Sequence, residues 1–359
     1  MKTSPRLSTR PASATLIDIM FHEELGSLLE EHIEENLDEI LKTAWRNRVT
    51  YRFLSKVIVS STSLRERLAC LLEAENIRQK RILALIDRVN NLLVEGEVEH
   101  VLMKTMDNYP DFGHDIDYLV DGDFDTARRL IESRLGGKRV KRLSLADRIV
   151  GKSAFTIPEP LGCGAGVEVE IYPRVSQVGE KNLFTEIILE RAKNAEIGGI
   201  RARVPSKEDQ LLITCVHAFY RSLGIRLSEI YNSINLIKSG GLDWDYAFDH
   251  AVTGNISRGF SFFIRLLDDF HQRYLGRELV PTSVLRRSER LFCGQIQIPS
   301  NYPNEFGFNY FITTYLNKGL SDAYDLRLRS AGSALIVAPT LGVLASMLYR
   351  TTGKTNLIW

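Results

Sequence analysis

The sequence has few cysteines and almost no net charge, and each shortage excludes a class of protein. Four cysteines occur in 359 residues, and none forms a Cys-x-x-Cys pair, which argues against a zinc site or a disulfide framework. With 46 basic and 45 acidic residues the formal net charge is +1, so strong general nucleic-acid binding through overall charge is not expected. We predict a cytoplasmic protein with reduced thiols at Cys70, Cys163, Cys215 and Cys293.

Long apolar runs are also scarce. No apolar segment typical of a secretory signal precedes Thr15. The exception is the uncharged segment 330–349, which has roughly the length of a membrane span. Because this segment is rich in small residues and interrupted by Pro339, we expect a buried pair of helices. Membrane association through 330–349 is the alternative.

The spacing of apolar residues divides the chain into regions of different predicted structure. Residues 1–14 are rich in Ser, Thr and Pro and predict a flexible tail. Three- and four-residue spacing predicts an N-terminal helical region over 15–96, and it returns in a C-terminal helical region over 181–359. Between them, residues 97–180 predict an α/β core. The length suffices for such a multi-part fold.

Within this core, period-two alternation predicts strands at 98–104, 116–120 and 167–172. The stretch 107–113 between the first two is turn-forming. A helix is predicted over 124–135. In the flanking regions Ser63 is interpreted as the cap of the last long N-terminal helix and Ser206 as the cap of a C-terminal helix.

An acidic pair opens the second predicted strand. Residues two apart on a strand point to the same face, so Asp115 and Asp117 project together while Ile116 turns into the core. Two adjacent carboxylates repel each other and are costly to bury unpaired. Carboxylate oxygens select hard cations, so Mg²⁺ or Mn²⁺ is the predicted ligand.

A second acidic strand follows about fifty residues later. Glu168, Glu170 and Tyr172 share one face of it. If this strand lies beside the Asp115–Asp117 strand, the carboxylates converge and suit two metal ions that promote phosphoryl displacement. Asp-x-Asp and Glu-x-Glu are also common on solvated strand faces. The order of strand, turn, acidic pair and acidic strand favours the metal site.

The ordered motifs resemble the DNA-polymerase-β-like nucleotidyltransferase superfamily, and most closely its uncharacterised nucleotidyltransferase branch. The resemblance covers residues 98–251. It implies an α/β (α+β) fold with a mixed sheet between helical regions, and Mg²⁺-dependent transfer of a nucleoside monophosphate from a nucleoside triphosphate (NTP) to a hydroxyl acceptor. The motifs are Val-Leu-Met-Lys104-Thr105, Gly113-His-Asp115-Ile-Asp117, Val-Glu170-Ile-Tyr, Ser206-Lys-Glu-Asp209, His217 and Leu-Asp243-Trp244.

The resemblance also implies roles for individual residues. Asp115 and Asp117 coordinate the metals that carry the triphosphate. Glu170 is the third carboxylate, usually Asp in the superfamily, with Glu168 as the alternative. Lys104 approaches a phosphate. Thr105 stands where this branch has glycine, which affects the backbone approach to the triphosphate. Its hydroxyl is expected to replace part of that contact.

Further residues have two interpretations each. His114 is expected to face away from the acids, which favours a structural role over a role in the site. His217 is either a core histidine or part of the nucleotide site. A basic cluster, Lys138, Arg139, Lys141 and Arg142, is either a solvated face or a phosphate contact. The alternative for the whole protein is a catalytically impaired module that binds nucleotide or a protein partner.

Overall fold

In the computed structural model the strands and helices occur where the apolar spacing changes. The structure describes residues 10–22, 27–105, 107–141, 143–158, 166–176, 183–221, 224–291, 302–305 and 308–352. Residues 1–9 of the predicted tail, Arg142, Cys163 and Cys293 lie outside these ranges, and helix already begins at Ala12. Cys70 and Cys215 are free thiols.

Helices make up most of the described chain. They are, in order, α1 (Ala12–Phe21), α2 (Ser27–Glu35), α3 (Leu37–Arg46), α4 (Thr50–Ser60), α5 (Thr62–Glu95), α6 (Phe124–Arg134), α7 (Leu145–Val150), α8 (Thr185–Glu190), α9 (Lys207–Cys215), α10 (Leu227–Lys238), α11 (Trp244–Thr253), α12 (Ser257–Leu275), α13 (Thr282–Leu291), α14 (Phe308–Tyr324), α15 (Leu328–Gly332) and α16 (Ala338–Thr352). Two π-helical segments, Val216–Arg221 and Ser333–Val337, continue α9 and α15.

The strands fall into one central sheet and two small ribbons. They are β1 (His100–Met103), β2 (Asp115–Val120), β3 (Lys138–Arg139), β4 (Ser153–Ile157), β5 (Val167–Tyr172), β6 (Lys193–Ile197), β7 (Ile200–Val204), β8 (Gly224–Ile225) and β9 (Asn304–Glu305). In the described residues the central sheet has the order β1-β2-β5-β4-β3. Only β2 and β5 pair in parallel there, so the sheet is mixed. The predicted mixed α/β fold is confirmed.

The two faces of the sheet contact different helices because side chains alternate along each strand. Ile116, Tyr118 and Val120 of β2 pack with α5 and α6 in one hydrophobic core. Leu119 of β2 and Tyr172 of β5 belong to another core, which also contains residues of the helices before the sheet and of α9–α13 after it. Asp115 and Asp117 therefore face the same helical layer as Leu119.

The long helix α5 has a different cap from the predicted one. Its N-cap is Ser61, whose hydroxyl accepts a hydrogen bond from the backbone N–H of Leu64 at 3.2 Å. The prediction of Ser63 as the cap was wrong by two residues. Ser63 lies in the first turn instead, and its side chain bonds Glu34. The predicted cap Ser206 is confirmed, since its hydroxyl accepts from the N–H of Asp209.

The uncharged C-terminal segment is helical. Pro339 is the second residue of α16 and directly follows the π-helical segment Ser333–Val337. The chain therefore stays helical across the proline, whereas the α-helical hydrogen-bond pattern changes just before it. Ala334, Ala338 and Leu341 pack against Tyr315 of α14. None of the helices in the described residues is long and apolar enough to cross a membrane.

Candidate metal centre

The acidic pair lies at the start of β2, on the face that the sequence predicts. Asp117 is 3% exposed and Asp115 is partly exposed. Ile116 between them is fully buried in the core behind the sheet. Because the strand alternates faces, burying Ile116 fixes the direction in which both aspartates project.

Parallel pairing of β2 with β5 adds the third carboxylate. The register places Asp117 opposite Glu170 and Asp115 opposite Glu168. One carboxylate oxygen from each of Asp115, Asp117 and Glu170 lies within 4.8 Å of the other two. We call these three residues the acidic triad. Among the described residues Glu168 is not part of this close group, so the geometry favours Glu170 over Glu168.

Lys104 and Thr105 position β2 from the end of β1. Lys104 has a positive φ of 51°, a left-handed conformation that ends the strand. Its Nζ lies 3.0 Å from Oδ1 of Asp117. The Thr105 hydroxyl is buried and accepts a hydrogen bond from the backbone N–H of Asp117 at 3.0 Å. Its observed contact is thus with β2, and its predicted contact with a triphosphate stays a prediction.

Glu170 is held on both oxygens by Tyr172, which was expected on the same face of the strand, and by Lys152, which no sequence motif indicated. Lys152, just before β4, places its Nζ 2.7 Å from Oε1 of Glu170. The Tyr172 hydroxyl donates to Oε2 at 2.5 Å. Lys152 and Glu170 are both over nine-tenths buried. A buried ion pair with a further hydrogen bond fixes one orientation of the carboxylate.

A second layer supports these contacts. Arg221, at the end of the π-helical segment Val216–Arg221, donates to the Tyr172 hydroxyl at 3.0 Å and to Oδ1 of Asp147 at 2.9 Å. Lys152 also lies 3.5 Å from the same Asp147 oxygen. The network links the sheet, α7 and the helical layer, so the orientation of Glu170 depends on all three.

Arg48 and Gly113 lie on the other side of the triad. Arg48 follows α3, and its guanidinium lies 3.5 Å from Oδ1 of Asp115. A Cβ added at Gly113 would lie 2.7 Å from that oxygen and 2.9 Å from Arg48 Nη1. The glycine is therefore required for the close approach of Arg48 to Asp115. Gly113 shapes the site through its lack of a side chain.

The electrostatics of the two aspartates differ. Burial opposes ionisation of Asp115, but Arg48 and Lys104 outweigh it and hold the pKa at about 2. Burial raises the pKa of Asp117; Lys104 opposes the rise, whereas the neighbouring charges of Asp115 and Glu170 increase it. A divalent cation would remove the repulsion between these carboxylates.

His217 lies beside the triad, in a small polar pocket. Its Nδ1 lies 2.9 Å from Oε1 of Glu229. Burial lowers the pKa of His217 to about 4, against the opposing effect of Glu229, so the ring is neutral at pH 7. The pocket wall also contains Lys104, Asp115 and Asp117. Contact of His217 with nucleotide stays a prediction, as its position is compatible with either interpretation.

The described part of the basic cluster lies away from the triad itself. Lys138 lies on β3 at the far edge of the sheet, three strands from Asp115, or about 14 Å at the usual strand spacing. Lys138 and Lys141 are both exposed, and their contact with a phosphate stays a prediction. His114 is exposed, and its ring lies 5.9 Å from that of Trp45.

The donor set fits a hard divalent cation. Three carboxylates from two neighbouring strands provide only oxygen ligands, at mutual distances compatible with shared coordination. Such an ion would be held by Asp115, Asp117 and Glu170. It would supply positive charge to the oxygens of a transferring phosphoryl group. Lys104, Arg48 and Lys152 balance the same carboxylates in the protein alone.

A mixed sheet between helices, with an acidic cluster on two parallel neighbouring strands, defines a protein of the nucleotidyltransferase class. The chain belongs to the family described as "uncharacterised nucleotidyltransferase", whose model matches residues 34–272. The resemblance seen in the sequence motifs is thereby confirmed.

An antigenic nucleotidyltransferase-like protein from Paracoccidioides brasiliensis, a solved structure, is similar with a TM-score of 0.37 and 14% sequence identity. The similarity covers 57% of this chain and 96% of that chain. A comparison with curated proteins gives no match.

Proposed function

We propose that this protein is a Mg²⁺- or Mn²⁺-dependent nucleotidyltransferase that transfers a nucleoside monophosphate from an NTP to a hydroxyl acceptor. The acidic triad is the observation that carries the proposal, because three oxygen ligands within 4.8 Å of one another suit a metal-bound triphosphate. Membership of a nucleotidyltransferase family supports it.

The reaction is an in-line displacement at the α-phosphorus. The acceptor oxygen forms a bond to this phosphorus, and the bond from phosphorus to the pyrophosphate oxygen breaks. The acceptor proton passes to the carboxylate of Glu170. Catalysis of this kind depends mainly on positioning and charge neutralisation.

Each side chain of the centre has a role in this proposal. Asp115 and Asp117 hold the metal-bound triphosphate. Lys104, whose Nζ lies 3.0 Å from Asp117, neutralises phosphate charge. Lys152 and Tyr172 act as positioning residues, because they fix both oxygens of Glu170. The carboxylate is thus aimed before the acceptor arrives.

The proposal is tested by incubating the protein with each α-³²P-labelled NTP and Mg²⁺ or Mn²⁺, and by measuring pyrophosphate release and label transfer. The wild-type protein should turn over at least one NTP. The Asp115→Asn/Asp117→Asn variant should be slower by a factor of about 10² or more, since it removes charge that acts on the transition state.

The matched control is Asp125→Asn. Asp125 is an exposed carboxylate in the first turn of α6, the helix that packs on the opposite face of the sheet. Its replacement should leave turnover unchanged. Equal turnover by the double variant and the control would show that the triad is not the site of transfer.

A second candidate is a module of the same fold that binds nucleotide without transferring it. The observation that favours it is that Arg48, Lys104 and Lys152 already pair with the three carboxylates. Thr105 in the position of the family glycine also favours it. Thermal stabilisation by an NTP, with no pyrophosphate released during prolonged incubation, would support this module and exclude the enzyme.

A further inference from the structure

A larger cavity borders the acidic triad on the side of Gly113. Its volume is about 410 Å³, within the range of small-molecule sites. It is enclosed by the end of α3, one face of α5, the loop before β2 and the residues around β8. We call this cavity the arginine pocket, after the guanidinium groups in its wall. Gly113 and Arg48, which contact Asp115, belong to that wall.

The pocket has an aromatic surface that is open to a ligand. Trp45 is 60% exposed, although it lies at the end of a helix whose other face is buried. The His114 ring lies 5.9 Å from it, at an angle of 54°. A large exposed indole in a cavity wall is a surface on which a planar ring can stack.

The charge of the wall is positive. Arg46, Arg48, Arg78 and Arg226 line the pocket together with only two carboxylates, Glu75 and Asp111. Glu75 is paired with Arg78 at 2.8 Å, and Asp111 with Arg52 at 3.0 Å. Among the described residues Arg46 has no carboxylate within ion-pair distance, and it is exposed. Arg48 and Arg226 pair with carboxylates outside this wall, Asp115 at 3.5 Å and Glu229 at 4.0 Å. The Arg46 guanidinium is therefore the group of the wall best placed to bind a phosphate, which arginine contacts through paired N–H donors.

The position of the pocket distinguishes it from the triphosphate side of the centre. Lys104 and Asp117 line the small polar pocket, not the arginine pocket. Arg48 and Arg226 belong to both walls and so stand between the two cavities. In an in-line displacement the attacking group and the leaving pyrophosphate lie on opposite sides of the phosphorus. With the triphosphate placed against Lys104 by the proposed function, a cavity across Arg48 from Lys104 is on the side open to the attacking group.

We infer that the arginine pocket binds the acceptor and that the acceptor is a nucleoside monophosphate, with a base on Trp45 and a phosphate on the arginines. The role of this nucleotide as acceptor rests on the proposed function, whereas its binding in the arginine pocket does not. A ribose hydroxyl of this nucleotide forms the new bond to the α-phosphorus, pyrophosphate leaves, and the proton passes to Glu170. The product is a dinucleotide with a phosphodiester bond.

Binding is measured by calorimetry and by quenching of Trp45 fluorescence, with Trp45→Phe as the reference because the chain has three tryptophans. The probes are the four nucleoside monophosphates, adenosine, ribose 5-phosphate, inorganic phosphate and a 5′-phosphorylated dinucleotide. A nucleoside monophosphate should bind at least about tenfold more tightly than adenosine or ribose 5-phosphate, which lack one of the two groups. Tighter binding of the dinucleotide would overturn the choice of a mononucleotide.

Two variants locate the binding. Trp45→Ala and Arg46→Ala should each weaken binding of the monophosphate about tenfold or more, because one loses a stacking surface and the other a phosphate contact. Both residues are exposed, so neither variant is expected to unfold the protein. Arg134→Ala, an exposed arginine at the end of α6, is the control and should bind as the wild type does. Unchanged binding by both pocket variants would overturn the inference.

A competition experiment distinguishes the binding site of the acceptor from that of the NTP. With a saturating α,β-methylene NTP and Mg²⁺, the monophosphate should still bind, since the two occupy different cavities. Competition between them would assign the pocket to the NTP and overturn the inference. NTP turnover without monophosphate binding would refute the pocket but keep the proposed function. Binding without any turnover would keep the pocket as a nucleotide site and refute the proposed function.

Discussion

At the scale of single residues, the three carboxylates of the triad are each balanced by a cation from the same chain. Lys104 pairs with Asp117, Arg48 with Asp115 and Lys152 with Glu170. Without these partners the repulsion between buried carboxylates would destabilise the fold. Because Lys104 is a long and mobile side chain, we expect it to exchange Asp117 for a phosphate when metal and nucleotide bind.

His217 provides a pH-dependent test of the environment beside the triad. Its folded pKa of about 4 lies below the ordinary 6.5, so between these values the unfolded chain binds a proton that the folded protein excludes. The stabilising contribution of the neutral His217 is therefore lost as the pH drops from 6.5 to 4, by up to about 1.4 kcal/mol per pH unit. His217→Gln lacks this contribution, so the wild type should lose more stability than the variant over this window, as measured by urea denaturation.

Glu229→Gln is the companion variant. This variant keeps His217 and removes the Glu229 carboxylate, which favours the protonated form of the histidine. The fall in stability below pH 6.5 should persist in this variant. If wild type and His217→Gln lose stability in parallel over the window, burial of a neutral His217 is not the cause.

The sequence was sufficient to predict the residues of the triad and Lys104, but not the other two cations that pair with the triad. Asp115 and Asp117 were predicted because period two places them on one face, and the family resemblance favoured Glu170 over Glu168 and selected Lys104. Lys152 and Arg48 could not be predicted, since neither belongs to a motif and each reaches the triad from a distant part of the chain. Lys138 was selected for its charge and lies three strands away.

At the scale of elements, α5 connects the N-terminal helices to the sheet. It spans 34 residues, and its C-terminal half packs behind β2. Ser61→Ala removes the side chain that caps its first turn and should lower the free energy of unfolding by about 1 kcal/mol. Chemical denaturation monitored by circular dichroism measures the change.

Ser63→Ala is the matched control for the cap. Ser63 is an exposed residue two positions later, and the sequence wrongly predicted it as the cap. Its replacement should change the free energy of unfolding by no more than about 0.5 kcal/mol. A larger loss for Ser63→Ala than for Ser61→Ala would show that the helix begins where the sequence pattern predicted.

The existence of the main strands and helices followed from the sequence, whereas their pairing did not. Alternation predicted β2 and β5, but the parallel register that puts Asp117 opposite Glu170 arises from the sheet as a whole. The predicted strand 98–104 spans only His100–Met103 in the structure, and it ends there because Lys104 adopts a positive φ and turns the chain. Such a backbone conformation in a lysine has no local sequence signal.

At the scale of the whole molecule, helices that precede the sheet and helices that follow it, up to α13, share one hydrophobic core. Phe53 of α4 and Phe263 of α12 belong to it, and both are fully buried. The sequence predicted two helical regions, one on each side of the α/β core, but gave no information on contacts between residues so far apart. The shared core closes the layer that faces the triad.

The variant Phe53→Ala tests whether the N-terminal and C-terminal helical regions share this core. Truncating a fully buried phenylalanine should lower the free energy of unfolding by about 3–5 kcal/mol. Because the core is common, amide exchange should accelerate in α9 and α12 as well as in α4. Val59→Ala, at a position of α4 that is 79% exposed, should leave exchange unchanged. Faster exchange confined to the N-terminal helices would mean that the two helical regions unfold independently.

The most direct test of the metal–nucleotide centre is a titration with Mn²⁺ in the presence of an NTP, followed by electron paramagnetic resonance of the free ion. Wild-type protein and Asp125→Asn should bind Mn²⁺ with equal affinity. Asp115→Asn/Asp117→Asn, folded as judged by circular dichroism, should bind at least about tenfold more weakly, because it loses two of the three carboxylate ligands. Equal Mn²⁺ affinity in all three proteins would contradict the assignment of the triad as the metal centre.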